Sequence, residues 1–191
     1  MKFYMKLQDW LAGPFSQKMQ KFMQNPYMHA LQVCFTIILP MIMVGSLASL
    51  VNTFRNFAPW LPDLSLINSF SFGLISIFMA FLIPYTIMES KKLQKQKMIT
   101  GFASVSALIA LANPQYVDGN LVINSGYVGT GGMTVAMVMG LVIGWLFSAY
   151  FKHGLFKKDS SLPSVVVVWF ESILIIFVLI LVCIIIGQNV D

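Results

Sequence analysis

The chain offers few side chains that could carry out covalent chemistry. Its two histidines, His29 and His153, lie beside lysines or at the edges of apolar runs. No Ser-His-Asp arrangement, paired carboxylates or metal-ligand spacing accompanies them. The glycine-rich GTGG at 129–132 lacks the Lys and Ser/Thr that a phosphate-binding loop needs. We therefore predict no catalytic, cofactor-binding or metal-binding residues, and whether the chain works inside an enzyme complex stays open.

One acidic residue stands out because it lies inside an apolar run. Glu171 falls one to two helical turns into the run 164–187. A carboxylate at that depth of a bilayer costs about 2–3 kcal/mol unless it is paired or hydrated. It could reach water or the lysines at 157–158, or it could belong to a transport path. Both interpretations of this intramembrane acid stay open.

A second pattern consists of small residues four positions apart. Ala136, Gly140, Gly144 and Ser148 recur at this spacing, and the middle pair forms a GxxxG motif. Small side chains on one helix face make a shallow groove that lets another helix backbone approach closely. The pattern predicts a helix-packing surface, either within one subunit or between two subunits.

The composition indicates that these residues lie in a membrane. Of 191 residues, 58% are hydrophobic and 10% are charged, with a mean hydropathy of +0.79. Soluble domains carry about 25% charged residues, so this chain has too few to cover a surface facing water. The net charge of +5 comes from short loops between apolar runs. We therefore predict an all-α integral membrane protein that binds lipid and not nucleic acid.

Five apolar runs approach the ~20 residues that a membrane-spanning helix needs. They cover about 30–53, 68–88, 98–113, 132–151 and 164–187. The third is short and rich in Gly, Ser and Ala, as suits a helix packed among other helices. These runs define a predicted five-helix membrane domain at 29–191.

Two further features surround these runs. Residues 1–28 alternate apolar side chains with four lysines, which predicts an amphipathic segment in the membrane interface, broken near Gly13-Pro14. Before the fourth run, Asp118-Gly119 separates two short β-prone stretches and predicts a small extracellular hairpin. Close packing or special backbone angles are expected at the glycines that follow, Gly129, Gly131 and Gly132.

The basic residues indicate an orientation. Lysines concentrate before the first run, after the second and after the fourth, and the remaining loops hold only Arg55. Cytoplasmic loops are enriched in Lys and Arg. We therefore expect a multi-pass protein of a bacterial cytoplasmic membrane, with the N-terminus inside and Asp191 outside.

Several segments in order resemble one membrane protein family. The first run carries Pro40, Gly45 and Ser46 in a P-x-x-x-x-G-S arrangement. Four later segments extend the likeness: FGLISIFMAFLIPY (72–85), SALIALANP (106–114), GYVGTGGMTVAMVMG (126–140) and LPSVVVVWF (162–170). Together they resemble the IIC permease subunit of sugar phosphotransferase systems, in its lactose/cellobiose/chitobiose family.

The resemblance implies a permease for a β-linked disaccharide or a similar sugar. Partner subunits would phosphorylate that sugar at the cytoplasmic face with phosphate relayed from phosphoenolpyruvate. The likeness covers only the first half of the family, which provides five helices and most of the dimer contact, so no sugar-pocket residue is carried over. Two departures remove polar groups: Gln32, Val33 and Cys34 replace a charged pair, and SVVVVW at 164–169 is less polar.

Three functions remain open from the sequence. The chain could be a dimerisation and scaffold half that works with a separate sugar-binding half. It could instead be a non-transporting interaction protein derived from a permease, or an inactive truncated product. Expected partners are a second copy or a second permease half, and cytoplasmic phosphotransferase subunits.

Overall fold

The structure, a computed structural model, describes residues 13, 16–153 and 164–189. Within these ranges the chain is helical apart from one hairpin and the connecting turns. The helices are α1 (Ser16–Met23), α2 (Pro26–Arg55), α3 (Ser65–Ser71), α4 (Ile75–Ser90), α5 (Lys97–Leu111), α6 (Ser125–Val128), α7 (Met133–His153) and α8 (Ser164–Gln188). Short 3-10 turns, Phe72–Leu74 and Thr130–Gly132, precede α4 and α7. The hairpin pairs β1 (Gln115–Val117) antiparallel with β2 (Asn120–Val122).

The first long helix begins earlier than the first apolar run. Asn25 caps α2, because its side-chain Oδ1 accepts a hydrogen bond from the Tyr27 backbone N–H at 3.0 Å. Pro26 occupies the first helical position, where a missing N–H costs nothing. Residues 26–28, which the sequence assigned to the interfacial segment, therefore form the first turn of α2. Residues 1–12, 14 and 15 of that segment lie outside the described residues.

Among the described residues, four helical segments are long and apolar enough to cross a membrane. They are Pro26–Arg55, Ser65–Ser90, Thr130–Lys152 and Val168–Gln188. The third predicted span corresponds to α5, which has 15 residues. At about 1.5 Å per residue α5 extends about 22 Å, less than the ~30 Å hydrocarbon core. The described part of the chain thus contains four candidate membrane spans and one shorter apolar helix.

The loop before α3 is ordered by a carboxylate. Asp63 accepts a hydrogen bond from the Ser65 backbone N–H at 2.9 Å and pairs with Arg55 at 2.9 Å. The Ser65 backbone N–H, followed by the Arg55 charge, holds the pKa of the exposed Asp63 carboxyl below its usual value. Asn52 in α2 accepts from the Leu64 N–H at 2.9 Å. These bonds fix how the chain turns from α2 into α3.

Helix α4 is the centre of the bundle. It packs against α2, α5 and α7, and nine of its 16 residues are buried. Those nine are Ile75, Ser76, Met79, Ala80, Ile83, Pro84, Thr86, Ile87 and Met88. Helix α4 is apolar on every side, so its sequence alone shows no preferred face. The neighbouring helices determine which of its sides are buried.

Contacts between single residues give the direction of each helix. The Lys97 ammonium of α5 binds Glu89 of α4 at 2.7 Å, and eight residues earlier in α4 the Phe81 ring lies against Gly101. Helix α5 therefore runs antiparallel to α4. Gly187, near the end of α8, lies against the backbone carbonyl oxygen of Leu111 at the end of α5. Helices α5 and α8 thus finish at the same end of the bundle.

The two ends of the bundle differ in charge. Tyr27 at the start of α2 contacts Lys91, which follows α4. Lys91 and Lys152 line one crevice at this end of the bundle. We call this the lysine end. Arg55, the hairpin and Gly187 lie at the opposite end, since α2, α5 and α8 all finish there.

Large apolar side chains on the outside of the bundle are exposed, as expected where lipid replaces water. Helix α8 has an extensive apolar surface. Its exposed residues include Trp169, Phe170, Ile173, Leu174, Phe177, Val178, Leu181 and Val182. The opposite face of α8 packs on α5.

Candidate functional site

The stripe of small residues on α7 faces α4. A Cβ atom on Gly140 would lie 3.0 Å from Ile83 Cβ, and one on Gly144 would lie 2.5 Å from Ile87 Cδ1. Ala136 is fully buried in the same core. The structure therefore places this predicted packing surface inside one chain, with α4 covering it.

Helices α4 and α7 run parallel and in register along this stripe. Four residues along α7, from Gly140 to Gly144, match four along α4, from Ile83 to Ile87. The next step of four brings Ser148 to Lys91. Because both helices advance equally, α4 ends beside Ser148 at the lysine end, and α7 continues beyond it to His153.

Lys91 joins three parts of the bundle at that end. Its Nζ donates to the Tyr27 hydroxyl and to the Ser148 hydroxyl, each at 2.8 Å. It also lies 4.7 Å from the centre of the Tyr27 ring, close enough for a cation–π contact. Ser148 in turn donates to the Trp145 carbonyl at 2.8 Å. In the sequence, Lys91 is one of several lysines after the second apolar run, and nothing local connects it to Tyr27 and Ser148, which lie 64 and 57 positions away.

The turn before α7 packs directly on α4. The Ser76 hydroxyl, fully buried, donates to the Gly129 carbonyl at 2.5 Å. A Cβ on Gly132 would lie 2.5 Å from the Tyr127 carbonyl carbon and 3.1 Å from Ser76 Oγ. Close packing, rather than a special φ angle, thus explains the glycine at this position.

Glu171 lies on the buried face of α8, with 7% of its surface exposed. The Tyr150 hydroxyl of α7 donates to the backbone carbonyl of Glu171 at 3.2 Å. Ser172, also buried, donates to the Val168 carbonyl at 2.6 Å. The lysines at 157–158, which the sequence offered as partners, lie outside the described residues. Glu171 is therefore near the lysine end and turned inward, and its role stays a prediction.

A group of hydroxyls lies on the outside of α2. Ser46, Ser49 and Thr53 line a crevice of about 420 Å³ together with Phe54 and Phe72. Ser46 and Thr53 donate to carbonyls one turn earlier in their own helix, at 2.9 Å each, which leaves their oxygen lone pairs as acceptors. We call this surface the hydroxyl groove. In the sequence, Ser46 is distinguished only as part of the P-x-x-x-x-G-S arrangement.

Among the described residues, no three His, Cys, Asp or Glu side chains are grouped so that they could hold a metal ion. The polar side chains described above instead connect helices or face the outside of the bundle. What this arrangement can do is hold five helices in fixed register and present a polar groove on one side.

Comparison with known proteins identifies a family. A model of the family described as "Phosphotransferase system, EIIC" matches residues 32–191, which begin in α2 and include all later helices. No curated protein and no solved structure matches the chain.

Proposed function

Because this chain belongs to the phosphotransferase system EIIC family, we propose that it is the scaffold half of a sugar permease. It is a component of a sugar phosphotransferase permease and a multi-pass protein of the inner membrane. In the proposal, a second half supplies the sugar-binding residues and packs on this bundle.

The observation that carries this proposal is the apolar, close-packed contact between the helices of the bundle. Helix α4 packs against α2, α5 and α7, and its buried face meets mainly alanines, glycines and aliphatic side chains. The hydroxyl groove and a polar crevice beside Lys91 are each bounded in part by exposed side chains. A sugar that leaves water needs hydrogen-bond partners for its hydroxyls. The interior formed by these helices suits support rather than sugar binding.

The hydroxyl groove is the surface that we assign to the second half. Its exposed hydroxyls on α2 would be costly facing lipid alone, although their bonds to helix carbonyls reduce that cost. Hydroxyls also let helices associate within a bilayer by hydrogen bonding. The two phenylalanines beside them, Phe54 and Phe72, add apolar contact.

We also propose five crossings with the lysine end in the cytoplasm. Helices α4 and α7 run parallel, and α5, which lies between them in the chain, runs antiparallel to α4. The chain therefore crosses back through α5 before it enters α7. Seven of the 15 residues of α5 are buried, which suits a short helix held among longer ones. Labelling of single cysteines from outside intact cells tests this: Asn120→Cys in the hairpin should react and Lys92→Cys should not. The reverse result would refute the orientation.

The sugar is proposed from the resemblance as a β-linked disaccharide. Cytoplasmic phosphotransferase subunits would phosphorylate it on the lysine side of the membrane, and the permease would supply binding and access. No covalent step is assigned to residues of this chain.

The decisive experiment combines this chain with a sugar-binding half. We would express it in cells lacking disaccharide uptake, together with a lactose/cellobiose-type permease from which the first five helices have been deleted. Uptake of labelled cellobiose only when both polypeptides are present is the expected result. The variant Ser46→Leu tests the hydroxyl groove, because it fills the groove while leaving the buried face of α2 intact.

Other outcomes separate the remaining functions. Uptake by this chain alone would overturn the scaffold assignment. Reduced activity of an intact permease, without any uptake by the combined halves, would instead favour the non-transporting interaction protein. Equal uptake with and without Ser46→Leu would remove the hydroxyl groove from the proposal but leave the scaffold role.

A further inference from the structure

A crevice at the lysine end has the chemistry of a phosphate site. It has a volume of about 550 Å³ and lies between the ends of α4 and α7. Its lining residues are Lys91, Leu93, Trp145, Ser148, Ala149 and Lys152. We propose that this crevice binds a phosphate group, carried by an anionic phospholipid or free in solution.

The two lysines come together because of the helix register. Lys91 follows the last turn of α4 and is level with Ser148 of α7, and Lys152 lies one turn beyond Ser148, in the last turn of α7. Lys91 is partly buried and held in place by Tyr27 and Ser148. A lysine ammonium carries three donors, so two of them position the group and the third remains for an acceptor such as a phosphate oxygen.

Carboxylates near this end are engaged elsewhere. Glu89 pairs with Lys97 at 2.7 Å. Glu171 lies on the buried face of α8 beside Tyr150. Within 16–153 and 164–189, the two ion pairs are Arg55–Asp63 and Lys97–Glu89, and neither includes a lysine of the crevice. The positive charge of the crevice is therefore not cancelled by a described acid.

A simpler role for Lys91 and Lys152 would be to offset the partial negative charge at the carboxyl ends of the two helices. That role would direct their N–H groups toward terminal carbonyls. Instead, the Lys91 ammonium donates to two side-chain hydroxyls from other helices, and the side chain of Lys152 is exposed. The geometry thus favours a shared anion between the lysines over separate capping.

The walls of the crevice suit a lipid better than a free ion. Trp145 lies seven residues before Lys152, about 10 Å deeper along α7, and its side chain is 57% exposed. Tryptophan is enriched at the level of lipid headgroups. Leu93 and Ala149 complete an apolar wall beside the polar mouth. This step rests on the orientation proposed above, with the lysine end in the cytoplasm, because basic crevices between helices at the cytoplasmic side bind lipid headgroups.

Native mass spectrometry of the full chain tests the site. The protein would be released from nanodiscs with equal phosphatidylglycerol and phosphatidylcholine, and from lipid-free detergent with inorganic phosphate. We expect preferential retention of phosphatidylglycerol, weakened roughly five-fold by Lys152→Gln, since one lysine near the surface contributes about 1 kcal/mol. Lys92→Gln is the matched control, because it removes a neighbouring charge that does not line the crevice.

The lipid experiment and the phosphate experiment together show whether the crevice binds a phospholipid, a free phosphate or neither. Phosphate binding that depends on Lys152, without selective lipid retention, would assign the site to a free phosphate. Equal retention of both lipids with no phosphate binding would overturn the proposal, as would an equal loss in Lys92→Gln. Lys91→Arg keeps the charge and should retain the anion, so a loss as large as in Lys152→Gln would also contradict the role assigned to Lys91.

Discussion

Among the described glycines, Gly132 leaves the least room for an added Cβ, and its substitution allows a quantitative prediction. Gly132→Ala places a methyl group against the Tyr127 backbone, whose carbonyl carbon would lie 2.5 Å from the new Cβ, well inside the ordinary separation of 3.4–4 Å. The Tyr127 carbonyl oxygen would lie nearer still, so the turn must shift to admit the methyl group. Unlike a flexible side chain, a backbone carbonyl cannot rotate away without moving the chain.

The cost can be estimated from two parts. Overpacking of this kind costs about 1–3 kcal/mol. The shift also moves the Gly129 carbonyl away from Ser76, and a buried hydrogen bond of this type contributes about 1 kcal/mol within a bilayer. We expect Gly132→Ala to lower the free energy of unfolding by about 2–4 kcal/mol.

The measurement is reversible unfolding by SDS in mixed micelles, followed by tryptophan fluorescence. Gly73→Ala is the matched control, because its new Cβ would meet nothing nearer than Ser69 Cβ at 3.9 Å. Ser76→Ala isolates the hydrogen bond and should cost about 1 kcal/mol. If Gly132→Ala and Gly73→Ala unfold at the same SDS fraction, the reasoning about this contact is wrong.

Three further variants test the remaining contacts. Gly144→Leu should disrupt the packing of α7 on Ile87 and reduce the yield of folded protein in detergent, measured by gel filtration. Tyr27→Phe removes one acceptor of Lys91 and should lower the unfolding free energy by about 0.5–1.5 kcal/mol in the SDS titration. Glu171→Gln should leave protein level and cellobiose uptake by the paired halves unchanged if the acid is structural; lost uptake at normal abundance would assign it to the transport path.

Features that depend on neighbouring residues could be predicted from the sequence. Among the described residues, four of the five apolar runs correspond to helices long enough to span a membrane, and the third corresponds to the 15-residue α5. Asn25 and Pro26 also mark the start of α2 locally, although the prediction placed residues 26–28 in the interfacial segment. At the hairpin, Asp118 and Gly119 adopt φ angles of 51° and 79°, which this dipeptide tolerates better than most. The family itself was accessible, because its motifs are contiguous segments of chain. The lactose/cellobiose/chitobiose subfamily stays a prediction.

Features that depend on which helix faces which could not be predicted in this way. The sequence offered the small-residue stripe of α7 two partners, within the subunit or in another, and only the fold placed α4 against it. The crevice at Lys91 and the close-packed contacts around α4 likewise require the parallel register of α4 and α7. In a helix that is apolar on every side, hydrophobicity determines that the segment enters the membrane but carries no information about the face it buries. Sequence therefore determined the class, the segments and the family of this protein, whereas the tertiary contacts of glycine, serine and lysine decided how the helices pack.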